Sequence, residues 1–402
     1  MRRVDLPHRA NAGNGECRIL IAGDLCPQGR PEAVLTGKAP GSVWGDVTDL
    51  AATYDLCVVN LECPLTETGD PLLKDGPHLR AHPACAHGIR AGGFQVASLA
   101  NNHILDMGGR GLGSTLKALA QAGVYTVGAG TSMADATEPL CVTIGSHRIA
   151  FLAFAENEFA SAGPDTPGSW PLDDIDNCTQ IQDARNDGNT VIVLFHGGTE
   201  GYPLPSPEMV KRCRHYIRAG AKAVICHHSH VASGYESFRD GWISYGTGNF
   251  LFDWPEQLPA SWYEGYMVGL TIGADGTVRT SIIPHRQDKT GWSVELMTEA
   301  ESRQFIRTIE DRSRIIASPE QLAGSWTSFC AERRLEYLGR LLGTNMIDEI
   351  LWERNILKPR WIRRRLGTRL LNLFRCESHR ELVTEILRSE YKDMVARTGE
   401  KS

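Results

Sequence analysis

VIVLFHGGTEGYPLPSPEMVKRCRHYIRAGAKAVICHHSH, residues 191–230, decides the fold. It opens on an apolar run, Val191–His196. It closes on another, Ala223–Cys226, that runs straight into His227-His228-Ser229-His230. Between them, Pro207–Ala219 carries a helical pattern. Short, continuous apolar runs suit strands covered on both faces. Working outward, the same alternation recurs. Strands are expected at Arg18–Ala22, Leu56–Asn60, Gln95–Ala100 and Ile149–Phe154, with helices at Val43–Ala52, Pro83–Ala91 and Gly111–Gln121. This predicts an α/β layered fold. Downstream, Trp242–Tyr245, Met267–Ile272 and Val278–Pro284 read as strands without intervening helices, the last two joined by a hairpin at Ala274-Asp275-Gly276. After about Glu299 the strand signal vanishes. The expected division is an N-terminal tail (1–17), a main domain (18–299) and a helical C-terminal appendage (300–402).

The bulk composition fits that division. A chain of 402 residues allows one domain of roughly 250–300 residues plus an appendage. With 42% hydrophobic and 22% charged residues it has globular, not disordered, composition. Acids outnumber bases 48 to 42, which argues against a nucleic-acid partner. The 11 cysteines form no Cys-x-x-Cys pair, and several, such as Cys57 and Cys226, sit in apolar runs. That is the pattern of reduced, buried thiols in a cytosolic protein. The first residues, MRRVDLPHRANAGNGE, lack the apolar core of a signal peptide. No stretch is long and apolar enough to predict a membrane-spanning helix. The expected location is therefore cytoplasmic, and the sequon Asn177-Cys178-Thr179 is read as accidental.

The expected strands end in polar residues of one chemical kind. They deliver Gly23-Asp24, Asn60-Leu61-Glu62, Asn101-Asn102-His103 with Asp106 three residues on, His196, and the His227–His230 run. Ligands of α/β proteins gather at the carboxyl ends of strands. Carboxylates and imidazoles without thiolate clusters suit a di-metal hydrolytic centre. Each piece also has a plain reading. Gly-Asp after a strand is commonly a turn, and a lone histidine is commonly hydrogen-bonded rather than a ligand. His228 and His230 are stronger, because alternate residues of an extended chain point the same way. The conjunction of the pieces carries the argument.

As a set, these motifs resemble the CapA (poly-γ-glutamate/capsule synthesis) family. They run Gly-Asp, Asn-Leu-Glu, Ala-Asn-Asn-His-x-x-Asp-x-Gly, His-x-Gly-x-Glu, His-His-x-His-Val, then Tyr245-Gly246-Thr247-Gly248-Asn249-Phe250-Leu251-Phe252-Asp253. The match runs from about Arg18 to Arg286. The family is similar to calcineurin-like phosphoesterases, so the resemblance implies a four-layer α/β/β/α sandwich. It also implies one or two divalent ions, manganese, iron or zinc. By motif, Asp24 and His230 fall to the first metal and Asn102, His196 and His228 to the second, with Glu62 as the bridge. His103 faces substrate as an acid or electrostatic stabiliser. Asp106 and Glu200 are further catalytic candidates, their plain readings being a helix cap and a loop acid. The implied function is metal-dependent hydrolysis of a phosphoester or related bond in an anionic small molecule or polymer, linked to poly-γ-glutamate or capsular polysaccharide production. A capsule or polyglutamate synthase is the implied partner. The rival is a non-hydrolytic accessory protein holding an anionic polymer or a synthase through the same cleft.

Two departures matter. The superfamily's usual Asp-x-His reads Asp24-Leu25-Cys26 here, and Glu62 replaces the usual bridging aspartate. Cys26 is either a soft ligand favouring zinc or a small packed thiol. Other site types fall away. Gly128-Ala129-Gly130-Thr131-Ser132-Met133 lacks the third glycine of a dinucleotide fingerprint, and neither a Walker A sequence nor a Gly-x-Ser-x-Gly elbow is present.

Lys358–Arg375, KPRWIRRRLGTRLLNLFR, carries seven bases and no acid, interleaved with Trp361, Leu366, Leu370, Leu373 and Phe374. On a helix it suits peripheral contact with an anionic membrane surface. The alternative is docking on the body, which without those seven bases carries −6 − 7 = −13. Gly367 weakens a continuous helix and tips the reading toward docking.

Overall fold

The computed structural model describes residues 1–6, 15–288, 292–342 and 359–398. Two sheets face one another. The first runs β17 (Val294–Leu296), β16 (Val278–Gln287), β15 (Glu264–Ile272), β2 (Cys17–Cys26), β3 (Leu56–Leu61), β4 (Val96–Ser98), β5 (Tyr125–Val127), with β14 (Asn249–Phe252) also paired to β2. The second runs β1 (Arg2–Leu6), β7 (Leu140–Ile144), β8 (His147–Ala155), β10 (Thr190–His196), β11 (Ala221–His227), β13 (Gly241–Ser244), β12 (Tyr235–Phe238). β6 (Ala129–Gly130) and β9 (Gly168–Ser169) form a small separate ribbon.

Period-two alternation explains the layering. In β10, Ile192 and Leu194 enter the cluster between the sheets, while Val191, Val193 and Phe195 face outward to a second cluster. In β3, Leu56 and Val58 point inward and Cys57, Val59 and Leu61 outward. Both faces are therefore apolar, which is why these strands read as unbroken runs. Burying one such aliphatic side chain is worth about 1.5–3 kcal/mol.

Helices cover the outer faces. On the first sheet lie α1 (Arg30–Leu35), α2 (Val47–Ala52), α3 (Cys85–Ala91) and α4 (Gly108–Gln121). On the second lie α6 (Asp174–Asn186) and α7 (Pro207–Ala219), with the one-turn α5 (Met133–Ala136) beside β6. The order helix, sheet, sheet, helix is the four-layer sandwich implied by the motifs. In α7 the Ser206 hydroxyl accepts the Met209 N–H at 3.1 Å and Pro207 opens the first turn, a sound helix start.

The C-terminal helices complete the outer layer. α8 (Glu299–Ala317) contributes Phe305 and Ile309 to the inter-sheet cluster. α9 (Pro319–Leu342), α10 (Pro359–Arg375) and α11 (Glu377–Thr398) add Trp326, Cys330, Leu373, Leu382 and Ile386 to the cluster over β8, β10 and β11. They pack against the sandwich. α10 runs through Gly367 without interruption, so that glycine is no break. Leu371 and Phe374 are exposed on it while Leu373 is buried. Lys358 and the side chains of 359–366 lie outside the described residues.

Several expectations shift. Arg2–Leu6, read as tail, pairs in parallel with β7 as an edge strand; residues 7–14 lie outside the described residues. The helix expected at Val43–Ala52 is a 3-10 turn, Pro40–Trp44, and then α2, because Gly45 at φ +49° interrupts it. α6 was invisible in the sequence, since DIDNCTQIQDARN buries only Asn177, Cys178, Ile181 and Ala184.

Candidate metal centre

The ligand-type residues meet on the inter-sheet side, at the rim where β2, β3, β10 and β11 end. Along β3, residues 56, 58, 60 and 62 share one side, so Asn60 and Glu62 continue the inward face of Leu56 and Val58. His196 continues the inward face of Ile192 and Leu194. Asp24 is different. Strict alternation from Ile21 would send it outward, but the β2–β3 register slips between Ile21 and Asp24, and the slip turns Asp24 inward. Asp24 thus lies within β2, not beyond its end. Gly23 is needed there. A Cβ on it would sit 2.1 Å from the Gly248 oxygen, and the Asp24 N–H donates to that oxygen at 3.2 Å.

His228 and His230 reach the site by another route than strand alternation. β11 ends at His227, whose Nε2 lies 3.2 Å from the Ala22 carbonyl oxygen. His228 has φ +88° and His230 φ +57°, backbone that non-glycine residues seldom adopt and that costs about 1–3 kcal/mol each. A strained turn aims both rings at one point.

The geometry is tight. Asp24, Glu62 and His196 each offer a ligand atom within 4.8 Å of the others, and so do Glu62, His228 and His230. Glu62 belongs to both groups. Its Oε1 is 3.3 Å from His196 Nε2 and 3.6 Å from His230 Nε2. The rings of His196 and His228 are 4.7 Å apart, centre to centre. The Asn102 Oδ1 is 3.1 Å from His196 Nε2. All six ligand candidates therefore converge. His230 Nδ1 also lies 3.4 Å from Asp24 Oδ2, so the contacts link both halves of the cluster rather than dividing it into two fixed sets.

These residues suit a cation. Both Glu62 oxygens are buried without a hydrogen-bond partner, and burial pushes the carboxyl up to about 8. Burial alone would depress His230, yet Glu62 and Asp24 lift it to about 10. Burial holds His196 down to about 3 and His228 to about 4, leaving both rings neutral and able to ligate. An enclosed carboxylate with empty lone pairs, ringed by three imidazoles, calls for a positive charge.

His103 is held apart from this cluster. Its Nδ1 donates to Asp106 Oδ2 at 2.7 Å. Asp106 also accepts the Leu79 N–H at 2.7 Å and forms an ion pair with Lys74. Burial opposes its ionisation, yet His103 keeps Asp106 below the usual carboxylate range. Asp106 is enclosed and does not line the cavity. It bonds His103 and makes no capping bond to α4. Asn101 braces the same turn, bonding the Leu61 carbonyl and the His103 N–H.

Above the cluster lies a cavity of about 340 Å³ lined by Asn102, His103, His228, Glu158, Glu200 and Lys74, among others. Glu200 is exposed at its edge. Cys26 is packed among buried apolar residues and belongs to neither ligand group. The structure adds residues that the sequence reading left without a role. Asn60 Nδ2 donates to Asp24 Oδ1 at 2.9 Å and lies 3.2 Å from His196 Nδ1. Asn249 Oδ1 accepts from His230 Nδ1 at 2.9 Å. Lys74 is enclosed between His103 and Asp106. The N–H that His230 donates from its far ring nitrogen is the kind of bond that orients a ligand histidine. Asn60 had a signal, standing two residues before Glu62 on one strand face; Lys74 had none.

Comparison with known proteins gives the family. Residues 18–254 match the family described as bacterial capsule synthesis protein PGA_cap. The capsule biosynthesis protein CapA of Bacillus anthracis is 32% identical over 255 residues, covering 60% of this chain and 61% of that protein. A probable polyglutamine synthesis accessory protein of Mycobacterium tuberculosis is 32% identical over 276 residues, covering 63% of this chain and 72% of that one. The solved structure of Chaetomium thermophilum Vps29 aligns with 70% of this chain and 95% of its own at 14% identity, with a TM-score of 0.26. With the family match spanning more than half of its 402 residues, the chain belongs to the bacterial capsule synthesis PGA_cap family.

Proposed function

We propose that this chain is a metal-dependent hydrolase acting on a phosphoester or related bond of an anionic small molecule or polymer, in support of poly-γ-glutamate or capsular polysaccharide synthesis. One observation carries the reading: Glu62, shared by two ligand groups, is enclosed with neither oxygen hydrogen-bonded. Asp24, Glu62, Asn102, His196, His228 and His230 would hold one or two divalent ions such as manganese, iron or zinc. Such ions acidify water and offset negative charge developing on an attacked group. The chain supplies the rest. Asn249 fixes the ring of His230, and Asn60 touches both Asp24 and His196. Asp106 occupies His103 Nδ1, which leaves Nε2 to carry a proton to a leaving group. Lys74 holds Asp106 in place from the cavity wall.

A cytoplasmic location and a synthase partner belong to the same reading. All eleven cysteines are free and buried, as a reducing compartment favours. Among the described residues no helix is long and apolar enough to cross a membrane. The exposed Leu371 and Phe374 beside the basic stretch support peripheral contact through 358–375. The second reading, a non-hydrolytic accessory protein using the same cleft, is favoured by the description of the M. tuberculosis relative. Elemental analysis of protein purified without chelator is the test. One or two transition metals per chain are expected, lost in His228→Ala; background levels in the wild type would sink the metal reading.

A further inference from the structure

The cavity has a floor and a roof of different origin. Its floor comes from the strand ends of the sandwich. Its roof comes from Arg333 and Tyr337 of α9, Asn372 of α10, and Ser378 and His379 of α11. The family match stops at residue 254, so the floor lies within the shared part and the roof outside it.

The roof is firmly seated. The Ser378 hydroxyl donates to Glu156 Oε1 at 2.8 Å, and the Cys376 thiol to Oε2 at 3.4 Å. The backbone N–H and side-chain amide of Asn157 donate to the Glu377 carboxylate at 2.9 and 3.1 Å. On the other flank, Arg369 lies 3.8 Å from Asp75, next to Lys74. Glu156 itself is wedged under Gly197, where a Cβ would meet its Cγ at 2.8 Å. The roof is therefore anchored to the loops that follow β8 and β10, directly over the floor.

One roof residue is incomplete. Asn372 is only 7% exposed and lines the cavity, and its Oδ1 has no hydrogen-bond partner. Buried amide oxygens are nearly always satisfied, so this one wants a donor from the cavity. Nearby, the Tyr337 hydroxyl and His379 Nδ1 are 2.8 Å apart, which fixes the imidazole. Arg333, paired with Glu336 at 2.9 Å, presents a guanidinium at the mouth, a group matched to carboxylates. At about 340 Å³ the space lies at the small end of ligand pockets. It suits a small molecule or the end of a chain.

We propose that the C-terminal roof forms a substrate-recognition subsite, in which Asn372 accepts an amide or ammonium N–H and Arg333 pairs with a carboxylate. The ligand class is an amino-acid or peptide-like chain end carrying both groups. The inference rests on the hydrolase reading only for what happens at the floor.

Titration calorimetry on the full manganese-treated chain, with γ-glutamyl-glutamate and inorganic phosphate as separate probes, tests it. Wild type is expected to bind the dipeptide. Asn372→Ala and Arg333→Gln should each weaken dipeptide binding roughly tenfold, the scale of one lost hydrogen bond or ion pair. Metal content, melting temperature and phosphate affinity should stay unchanged. Asn372→Asp, which keeps an acceptor oxygen, should retain binding better than Asn372→Ala. Dipeptide affinity that ignores both substitutions, or no dipeptide binding by wild type, overturns the subsite. A wild type without metal whose dipeptide affinity still falls in Asn372→Ala sinks the metal centre and leaves the subsite standing.

Discussion

Glu156→Gln should remove the pH dependence of stability that a single enclosed acid imposes. Glu156 is 5% exposed, and burial pushes its carboxyl from 4.5 up to about 8 against the pull of Arg212. Below about pH 4.5 it is protonated in both the folded and the unfolded chain and contributes nothing. As pH rises further, the unfolded chain releases the proton while the folded chain keeps it until about 8. Stability is lost across that window and the loss is complete above it. At about 1.4 kcal/mol per tenfold change in proton affinity, the upper bound is roughly 5 kcal/mol; relaxation around the group should bring it nearer 2–4. Glutamine keeps an oxygen for the Ser378 hydroxyl and never ionises. The variant should therefore match wild type within about 1 kcal/mol at pH 5 and exceed it by roughly 2–4 kcal/mol at pH 8. Urea denaturation of metal-free protein at the two pH values measures the difference. A difference that stays constant between pH 5 and pH 8 refutes the argument, because it would mean that Glu156 ionises as readily in the fold as in water.

Other outcomes follow from the same contacts. His103→Ala should keep its metal and lose roughly 10²–10⁴-fold in manganese-dependent cleavage of an aryl phosphodiester; full retained activity beside a dead His228→Ala would remove His103 from the mechanism. Cys26→Ser should leave metal content unchanged and cost about 1–3 kcal/mol from the buried hydroxyl, whereas loss of metal, or a sulfur–metal signal in X-ray absorption, would make Cys26 a ligand after all. Trp44 is fully buried, stacks on Phe250 at 5.7 Å and donates to the Gly88 carbonyl at 2.8 Å, so Trp44→Ala should destabilise by about 3–5 kcal/mol; a melting temperature within a degree or two of wild type would contradict that packing.

What could be read in the sequence, and what could not, follows from whether a signal is local. Strands such as Val191–Phe195 announce themselves because both faces are buried, so every residue is apolar. Their polar terminal residues then fall on one rim, which is why Asp24, Glu62, Asn102, His196, His228 and His230 could be named in advance. The route was less legible than the residues. Asp24 faces inward only because the β2 register slips, and the two histidines meet through left-handed backbone rather than through alternation. Lys74 and the roof carry no local signature. Lys74 sits in an irregular stretch, and Asn372 lies far along the chain, so only the tertiary packing brings them to the cavity.

The ligand candidates are divided between the two sheets, and that division says what holds the cluster together. Asp24, Glu62 and Asn102 come from the first sheet; His196, His228 and His230 come from the second. Acids and amide stand on one side of the sandwich, imidazoles on the other. The distance between the halves is fixed by the inter-sheet packing of Ile21, Val58, Ile192 and Ile225, not by any single loop. Close-packed interiors resist compression, so the gap across Glu62 is held from below, and Asn60 ties the halves together at the top by touching Asp24 and His196 at once. The strain at His228 and His230 fits the same picture. Backbone of that kind persists only where its surroundings over-determine it. Here the Asp24 carboxylate accepts the His228 N–H at 3.1 Å, and Asn249 holds the His230 ring. The first sheet thus reaches across and fixes the turn by which the second sheet presents its imidazoles.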